Sequence, residues 1–583
     1  MRSSTKYLPP GVYAEHAPPA RGALEVADTH VVGFVGLAQR GPLDAPRRVT
    51  SWDEYVAIYG DSFEHYLTPS VEAFFRNGGR ACHVMRVTHV PAAGEAAGPE
   101  HAACAAQVVV DDWKKPTFRV HAESEGKWGN NIWVSFAQKT GARGLLTEDL
   151  EVGAGEAHVA HSRRFEVGAL VKIYDREGAD YVILTEVGDR VLKWSSETPV
   201  TRVHRASSPT HVEVVELEIH AALRDRREVF QGLQLHPSSV RYAPRVIAAQ
   251  SRLIRLEDLG SNSPPPHNIP VPAAPAKLTG GQDGASALSP EDFLGHDLGP
   301  GQRTGLCALA AVEEVAVLAC PDAMVLCAQI GGPEGELCAQ RVQDAMVDTC
   351  ERLQDRVALV DGPNNRDVEV VKRWRARLES SYCAMYWPWI DVPGRGGGLV
   401  RLPASGIMAG VLAGTELAHG AHRAPANVPI VGVVGMSVPV TEDDLGHLMA
   451  DGINSFRANR GLRPWGARTA SSDPDWRYLN VRRLFIMLRR SIQAGMSWVP
   501  FEPHDASTWA ALEDMVGLFL GDLFQRGMFA GGKIEEAFYV RCNEETNPPE
   551  NVSKGLLTCD IGVAPSLPAE LLMISVVQQM ASE

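Results

Sequence analysis

No stretch of this 583-residue chain keeps together the roughly 18 apolar residues that a helix needs to cross a bilayer. No membrane span is therefore expected. The start, MRSSTKYLPPGVYAEH, lacks the apolar segment of a secretory signal peptide. CxxC is also absent. The 10 cysteines are scattered at Cys82, Cys104, Cys307, Cys320, Cys327, Cys338, Cys350, Cys383, Cys542 and Cys559, several of them inside apolar helix or strand patterns. They read as reduced, buried thiols of a protein made in a cytoplasm, where the sequon Asn551-Val552-Ser553 carries no meaning. Net positive charge is missing too: the balance of −15 argues against bulk binding to nucleic acid or to an anionic membrane.

Catalytic and cofactor signatures are equally thin. The glycine-rich run Gly394–Gly398 has neither the Lys-Ser/Thr of a phosphate loop nor dinucleotide spacing, so it reads as a turn. His158-x-x-His161 and His419-x-x-His422 could each begin a metal site, but neither has a third ligand in sight. Asp322 and Asp361 follow apolar strands, where α/β enzymes place catalytic carboxylates. With no base or metal ligand nearby, both read more simply as loop-starting residues. No cofactor is expected.

What is present is a soluble composition, 45% hydrophobic and 22% charged, on a chain too long for one core. Residues 1–25 form a proline-rich arm that cannot bury itself; Tyr7, Leu8, Val12 and Tyr13 offer anchors for another surface. Over 26–90, Val31–Leu37 is a continuous apolar strand of the kind buried on both faces. Helices near Ser51–Tyr59 and from Thr68-Pro69 follow, and Cys82–Val87 returns as a strand. Period two then dominates 91–259, with strands at Phe118–His121, Ile132–Phe136, Leu170–Tyr174, Tyr181–Val187 and Val214–Ile219, and a hairpin turn at Asp175–Gly178. Residues 260–290 are a Pro/Gly-rich linker.

The α/β alternation resumes over 291–455: strand Val315–Ala319, helix Leu337–Leu353, strand Val357–Val360, helix Arg366–Leu378, strand Tyr382–Trp387. Such alternation implies parallel pairing with right-handed crossovers, so 26–90 and 291–455 are expected to share one core around a β-rich insertion. A third region, 456–570, holds the stretch 465–503. There Asp473-Pro474-Asp475 reads as a helix start, Val481, Leu484, Phe485, Leu488 and Ile492 as its buried face, and Gly495 as its stop. Trp498–Phe501 leaves as an extended run. Arg482, Arg483, Arg489 and Arg490 occupy much of the rest of that helix, a cationic side suited to an acidic protein surface. A second helix carries Leu512, Val516, Phe519 and Leu523. Strand-like runs follow at Ala537–Cys542, Leu556–Val563 and Leu571–Gln578, the last within the terminal segment 571–583.

Several segments in order resemble the tail sheath proteins of contractile bacteriophages and related contractile injection systems. They are PGVYAEH (10–16), GFVGLAQRGP (33–42), SVEAFFRNGGRACHVMRV (70–87), GKWGNNIWV (126–134), DGPNNR (361–366), YWPW (386–389), APAN (424–427) and DGINSFR (451–457). WGARTASSDPDWRYLNVRRLF (465–485), FEPHD (501–505), GGKIEEAFYVRC (531–542) and PAELLMISVVQQ (568–579) close the set. His504 departs from the asparagine usual in the family, and Arg489-Arg490 stand where an acidic residue is more usual. The resemblance implies a structural, non-enzymatic subunit that polymerises head-to-tail into a helical tube. It implies an inner tube protein, baseplate proteins and a terminator or cap as partners, with no direct nucleic-acid contact and no membrane insertion. Assembly would take place in the bacterial cytoplasm, as part of a phage tail or an injection particle. Terminal arms lent to neighbours' sheets would place Tyr7, Val12, Tyr13, Leu571, Leu572, Ile574 and Val576 between subunits. Arg482, Arg483, Arg489 and Arg490 would face the tube or a neighbouring subunit.

Overall fold

Two separated parts of the sequence build one eight-stranded sheet in a computed structural model of the chain, which describes residues 24–90, 105, 107–111, 115–195, 199–260, 269–270 and 274–568. The strand order is Arg47–Val49, Cys82–Arg86, Val32–Gly36, Val317–Ala319, Val357–Asp361, Cys383–Tyr386, Ile453–Ala458, Leu462–Trp465. The six inner strands pair in parallel, and each edge strand is antiparallel to its neighbour. A parallel sheet needs cover on both faces, and alternate residues supply it. Val35, Met85, Leu318, Val360 and Met385 point into one core with the helices Ala323–Ile330, Gly332–Leu353 and Val368–Ala376. Val32, Phe34, Val84, Val317, Leu359 and Tyr386 point into the other, with Trp52–Tyr59, Leu67–Arg76 and Ser405–His419. The mixed α/β class and the alternating elements expected from the sequence are those observed.

The Ser405–His419 and Leu67–Arg76 helices lie unusually close because three glycines one turn apart face the crossing. A Cβ on Gly406 would lie 2.3 Å from Ser70 Cβ, one on Gly410 2.6 Å from the Phe74 carbonyl oxygen, and one on Gly414 2.9 Å from that of Asn77. Backbone-to-backbone approach of this kind leaves no room for a side chain.

The described residues of 107–277 add no strand to that sheet. They form their own eight-stranded antiparallel sheet, whose longest pair is Trp133–Leu145 with His211–Leu223, and a three-stranded sheet of Gln107–Asp111, Pro116–Ala122 and Ile254–Asp258. The turn expected at Asp175–Gly178 is there, with Asp175 Oδ1 accepting from the amides of Glu177 (2.8 Å) and Gly178 (3.1 Å). Arg86, buried at the end of its strand, donates to the carbonyls of Ala38 (3.0 Å), Gly41 (2.8 Å) and Glu125 (2.9 Å) and so clips this region to the central sheet.

Two readings need correction. The stretch 260–290 is not wholly a linker: Ala276–Lys277 pairs with Trp133–Val134, and Ile269 and Leu278 are buried. Those few apolar residues among prolines suffice to seat an edge strand. Trp498–Phe501 is not extended but turns through the short 3₁₀ helix Val499–Phe501, with Pro500 near its start. The terminal-arm residues Tyr7, Val12, Tyr13, Leu571, Leu572, Ile574 and Val576 lie outside the described residues.

Gly410→Val should destabilise the subunit by about 1–3 kcal/mol by overpacking the helix crossing, read as a lower urea midpoint. A midpoint equal to wild type would contradict the close approach.

Candidate functional site

The helix Leu479–Gly495 is the meeting place of three parts of the chain. Asp473-Pro474-Asp475 does cap a turn, with Asp473 accepting from the Asp475 amide at 2.9 Å, but that turn is the 3₁₀ helix Pro474–Trp476. The α-helix proper begins only at Leu479. It is buried on nearly every side rather than on one face. Leu484, Met487 and Leu488 enter a core with Val516, Phe519 and Leu523 of the Ala506–Gln525 helix, while Leu479 and Ile486 enter the sheet's core.

Three of its four arginines, Arg482, Arg483 and Arg490, are spent within the subunit, which corrects the expectation of a wholly outward cationic side. Arg483, 1% exposed, pairs with the Glu416 carboxylate and donates to the Thr29 carbonyl at 3.3 Å. Glu416 also accepts from the Thr29 amide and hydroxyl, both at 2.8 Å. Burial pulls the Arg483 guanidinium below its ordinary value, and the Glu416 charge opposes that shift. The Arg482 guanidinium carbon lies over two rings, 3.5 Å from the Trp476 centroid and 4.2 Å from that of Tyr382, and the guanidinium donates to Ser381 Oγ at 2.6 Å. Arg490 collects carbonyls of Glu313 (2.6 Å), Val315 (2.6 Å) and Asp28 (3.2 Å). Arg489 is exposed and reaches Gln354 Oε1 at 2.5 Å.

Arg483 and Arg490 share a target, the segment just after the N-terminal arm. The Ala27 amide donates to Ser491 Oγ at 2.8 Å, and Leu24 packs so near Gly495 that a Cβ there would lie 1.8 Å from Leu24 Cδ2. Residues 24–29 are thus gripped along one helix by Arg483, Arg490, Ser491 and Gly495. Sequence reasoning missed Glu416, Thr29 and Ser491. The available signal was Glu416 itself, one carboxylate in the otherwise apolar run GIMAGVLAGTEL.

Asp322 and Asp361 do sit at the ends of parallel strands. Asp322 lies where the strand order reverses between Val32–Gly36 and Val317–Ala319, the crevice in which α/β folds bind ligands. Here the protein's own backbone fills it: Asp322 accepts from the amides of Leu37 (2.6 Å), Tyr66 (2.6 Å) and Leu67 (3.2 Å), capping the Leu67–Arg76 helix. Asp361 accepts from the Ser405 amide (2.8 Å) and hydroxyl (2.6 Å), capping Ser405–His419. Neither lines the clefts of 150, 750 and 880 Å³ that open on this surface. Burial pushes Asp322 up to about 6 and Asp361 up to about 7 against those bonds. Among the described residues, no cluster of three or more His, Cys, Asp or Glu side chains is placed to hold a metal ion.

The two long-range partners, Glu416 and Arg483, fall in regions that match known families separately. Residues 323–470 match the phage tail sheath protein central domain, and 471–579 match the phage tail sheath C-terminal domain. Over residues 323–579 the chain thus carries, in order, the two matched domains of phage tail sheath proteins. It is 27% identical over 250 residues to a putative prophage major tail sheath protein of Pseudomonas aeruginosa (strain UCBPP-PA14), covering 40% of this chain and 61% of that one. It is 24% identical over 284 residues to the tail sheath protein of Escherichia phage P2, covering 47% of this chain and 67% of that one. The fold extends further than the sequence likeness. The helical sheath of the anti-feeding prophage in its contracted state superposes with a TM-score of 0.52 over 98% of this chain and all of the other, at 19% identity. The sheath tail protein of Desulfitobacterium hafniense gives 0.52 over 91% and 93% of the two chains, at 10% identity. In this sheath fold the Arg483–Glu416 pair joins the central to the C-terminal domain, and both hold the start of the N-terminal part.

Arg483→Met should cost about 3–5 kcal/mol in urea unfolding because it strands the Glu416 charge, whereas Arg489→Ala should stay within about 0.5 kcal/mol of wild type. Equal effects would contradict the assignment of buried and exposed roles. Asp361 has a folded value above its unfolded one, so its stabilising contribution is full below the unfolded value and is lost as pH rises towards 7. Relative to wild type, Asp361→Asn should therefore flatten the fall of unfolding free energy between pH 4 and 7; an unchanged slope would rule this out.

Proposed function

We propose that this chain is the repeating subunit of a contractile sheath, a non-enzymatic structural protein that polymerises helically around an inner tube. The observation that carries the reading is the pair of sheath domains in order within a fold that follows solved sheath proteins over nearly its whole length. The partners would be further copies of the same chain, an inner tube protein, baseplate proteins and a terminator or cap, in a phage tail or an injection particle assembled in the bacterial cytoplasm. The domain plan is an arm at 1–25, a core from 26–90 and 291–455, an outward-facing insertion over 91–259, a C-terminal domain at 456–570 and a terminal strand at 571–583.

The physics of the subunit suits that role. The strands Phe538–Arg541 and Asp560–Val563 make a two-stranded sheet with each other, to which, among the described residues, no further strand is added beyond the bridge Phe529–Pro565 at its end. Such a sheet is marginal by itself and is a template for added strands. Arms from neighbours, anchored through Tyr7, Val12, Tyr13, Leu571, Leu572, Ile574 and Val576, would complete it by main-chain bonding. Main-chain links of this kind can persist while the bodies exchange their remaining contacts, so contraction can be a switch between two packings with its energy stored at assembly. Arg489, the exposed arginine of its helix, is the one proposed to reach the tube or a neighbour; Arg483 and Arg490 would act by holding the arm's root, and Arg482 is occupied by Trp476, Tyr382 and Ser381. An α/β enzyme working through Asp322 and Asp361 is the weaker reading, because both carboxylates are occupied as helix caps.

Electron microscopy of the purified chain, alone and with the inner tube protein, should show tubes of uniform diameter; a particle that stays monomeric in both would contradict the reading. A chain ending at residue 570 should remain folded by circular dichroism yet fail to form tubes, and tubes like those of wild type would refute the donated strand.

A further inference from the structure

The register of that two-stranded sheet brings two cysteines face to face. Phe538–Arg541 pairs with Asp560–Val563 antiparallel, Arg541 opposite Asp560, so one step further places Cys542 opposite Cys559. The Cys542 amide donates to Glu513 Oε2 at 3.2 Å and not to the facing strand. The pair therefore occupies a non-hydrogen-bonded position, where Cα atoms of antiparallel strands approach to roughly 4.5 Å, within the span a disulfide bridges. The Cys542 thiol donates to the Thr558 carbonyl at 3.7 Å, next to Cys559 in the chain, and accepts from Asn547 Nδ2 at 3.9 Å; both cysteines are reduced here. They share a small apolar cluster with Trp509, Leu512, Met496 and Trp498. Cys542 is buried and Cys559 is partly open to solvent.

We propose that Cys542 and Cys559 are a latent cross-strand disulfide, formed when the folded chain meets a small-molecule disulfide. The partly open Cys559, as thiolate, attacks one sulfur of that oxidant, breaking its S–S bond and releasing one thiolate. Cys542 then attacks the Cys559 sulfur of the mixed disulfide and expels the second. Two protein thiols are oxidised, two small thiols are formed, and the protons lost by the cysteines go to the leaving thiolates. Burial pushes the Cys559 thiol up to about 12 and raises that of Cys542, so the exchange is slow at neutral pH and should quicken by about tenfold per pH unit below that value. The bridge would fix the two strands to each other without touching their outer edges. It rests on the strand register and holds whether or not a neighbour's strand is added there.

The test uses the full chain, folded, incubated with oxidised glutathione at pH 9, quenched with acid and digested without reduction. Arg541 and Lys554 let trypsin release the two cysteines on separate peptides. The expected product is one linked pair carrying Cys542 and Cys559, lighter by two hydrogens. In Cys559→Ser that product should vanish with no glutathione adduct on Cys542; in Cys542→Ser the adduct on Cys559 should persist. A wild-type chain that keeps a stable adduct on Cys559, links either residue to a different cysteine, or leaves both as thiols would overturn the proposal.

Discussion

Everything around the C-terminal domain depends on one buried charge pair, Arg483 with Glu416, and on the Thr29 backbone that both of them hold. A guanidinium at 1% exposure is tolerable only with its countercharge and its hydrogen bonds in place. That requirement ties three distant segments to a single geometry: the start of the first strand, a helix behind the central sheet, and the long helix of the C-terminal domain. An apolar contact could have tied them as strongly, but it would not have fixed their mutual register so sharply. Ser491, Arg490 and Gly495 extend the same grip to residue 24.

The grip has a mechanical meaning in a sheath. A subunit that lends its arm to a neighbour must resist being pulled at the point where the arm leaves its own body. In the proposed sheath, residues 24–29 would be that point. They are held by main-chain hydrogen bonds and by charge, with Leu24 wedged against the helix end. Asp322 and Asp361 do comparable work inside the core. Each closes a strand end by capping a helix, so the crevice that would bind a ligand in an α/β enzyme is filled with backbone amides.

The strands and helices of the core were legible because a two-faced parallel sheet writes continuous apolar strands such as Val32–Gly36 between helices with ordinary caps such as Ser51. The β-rich region was legible through its period of two. The long helix was recognised, but its environment was not. Periodicity counts apolar residues, and it cannot see that Arg482 lies over the rings of Trp476 and Tyr382 or that Arg483 answers a glutamate 67 residues earlier. Ala276–Lys277 was hidden for a related reason: an edge strand of two residues carries no period, and its partner lies far back in the chain.

A reconstruction of the assembled tube that resolves side chains tests the central claim most directly. The account predicts Thr29, Glu416 and Arg483 in contact within every subunit, with the chain before residue 24 leaving the body and pairing along an open edge of a neighbour's Phe538–Arg541 and Asp560–Val563 sheet. An arm folded back on its own body, or a Thr29 released from Glu416 in the tube, would contradict it.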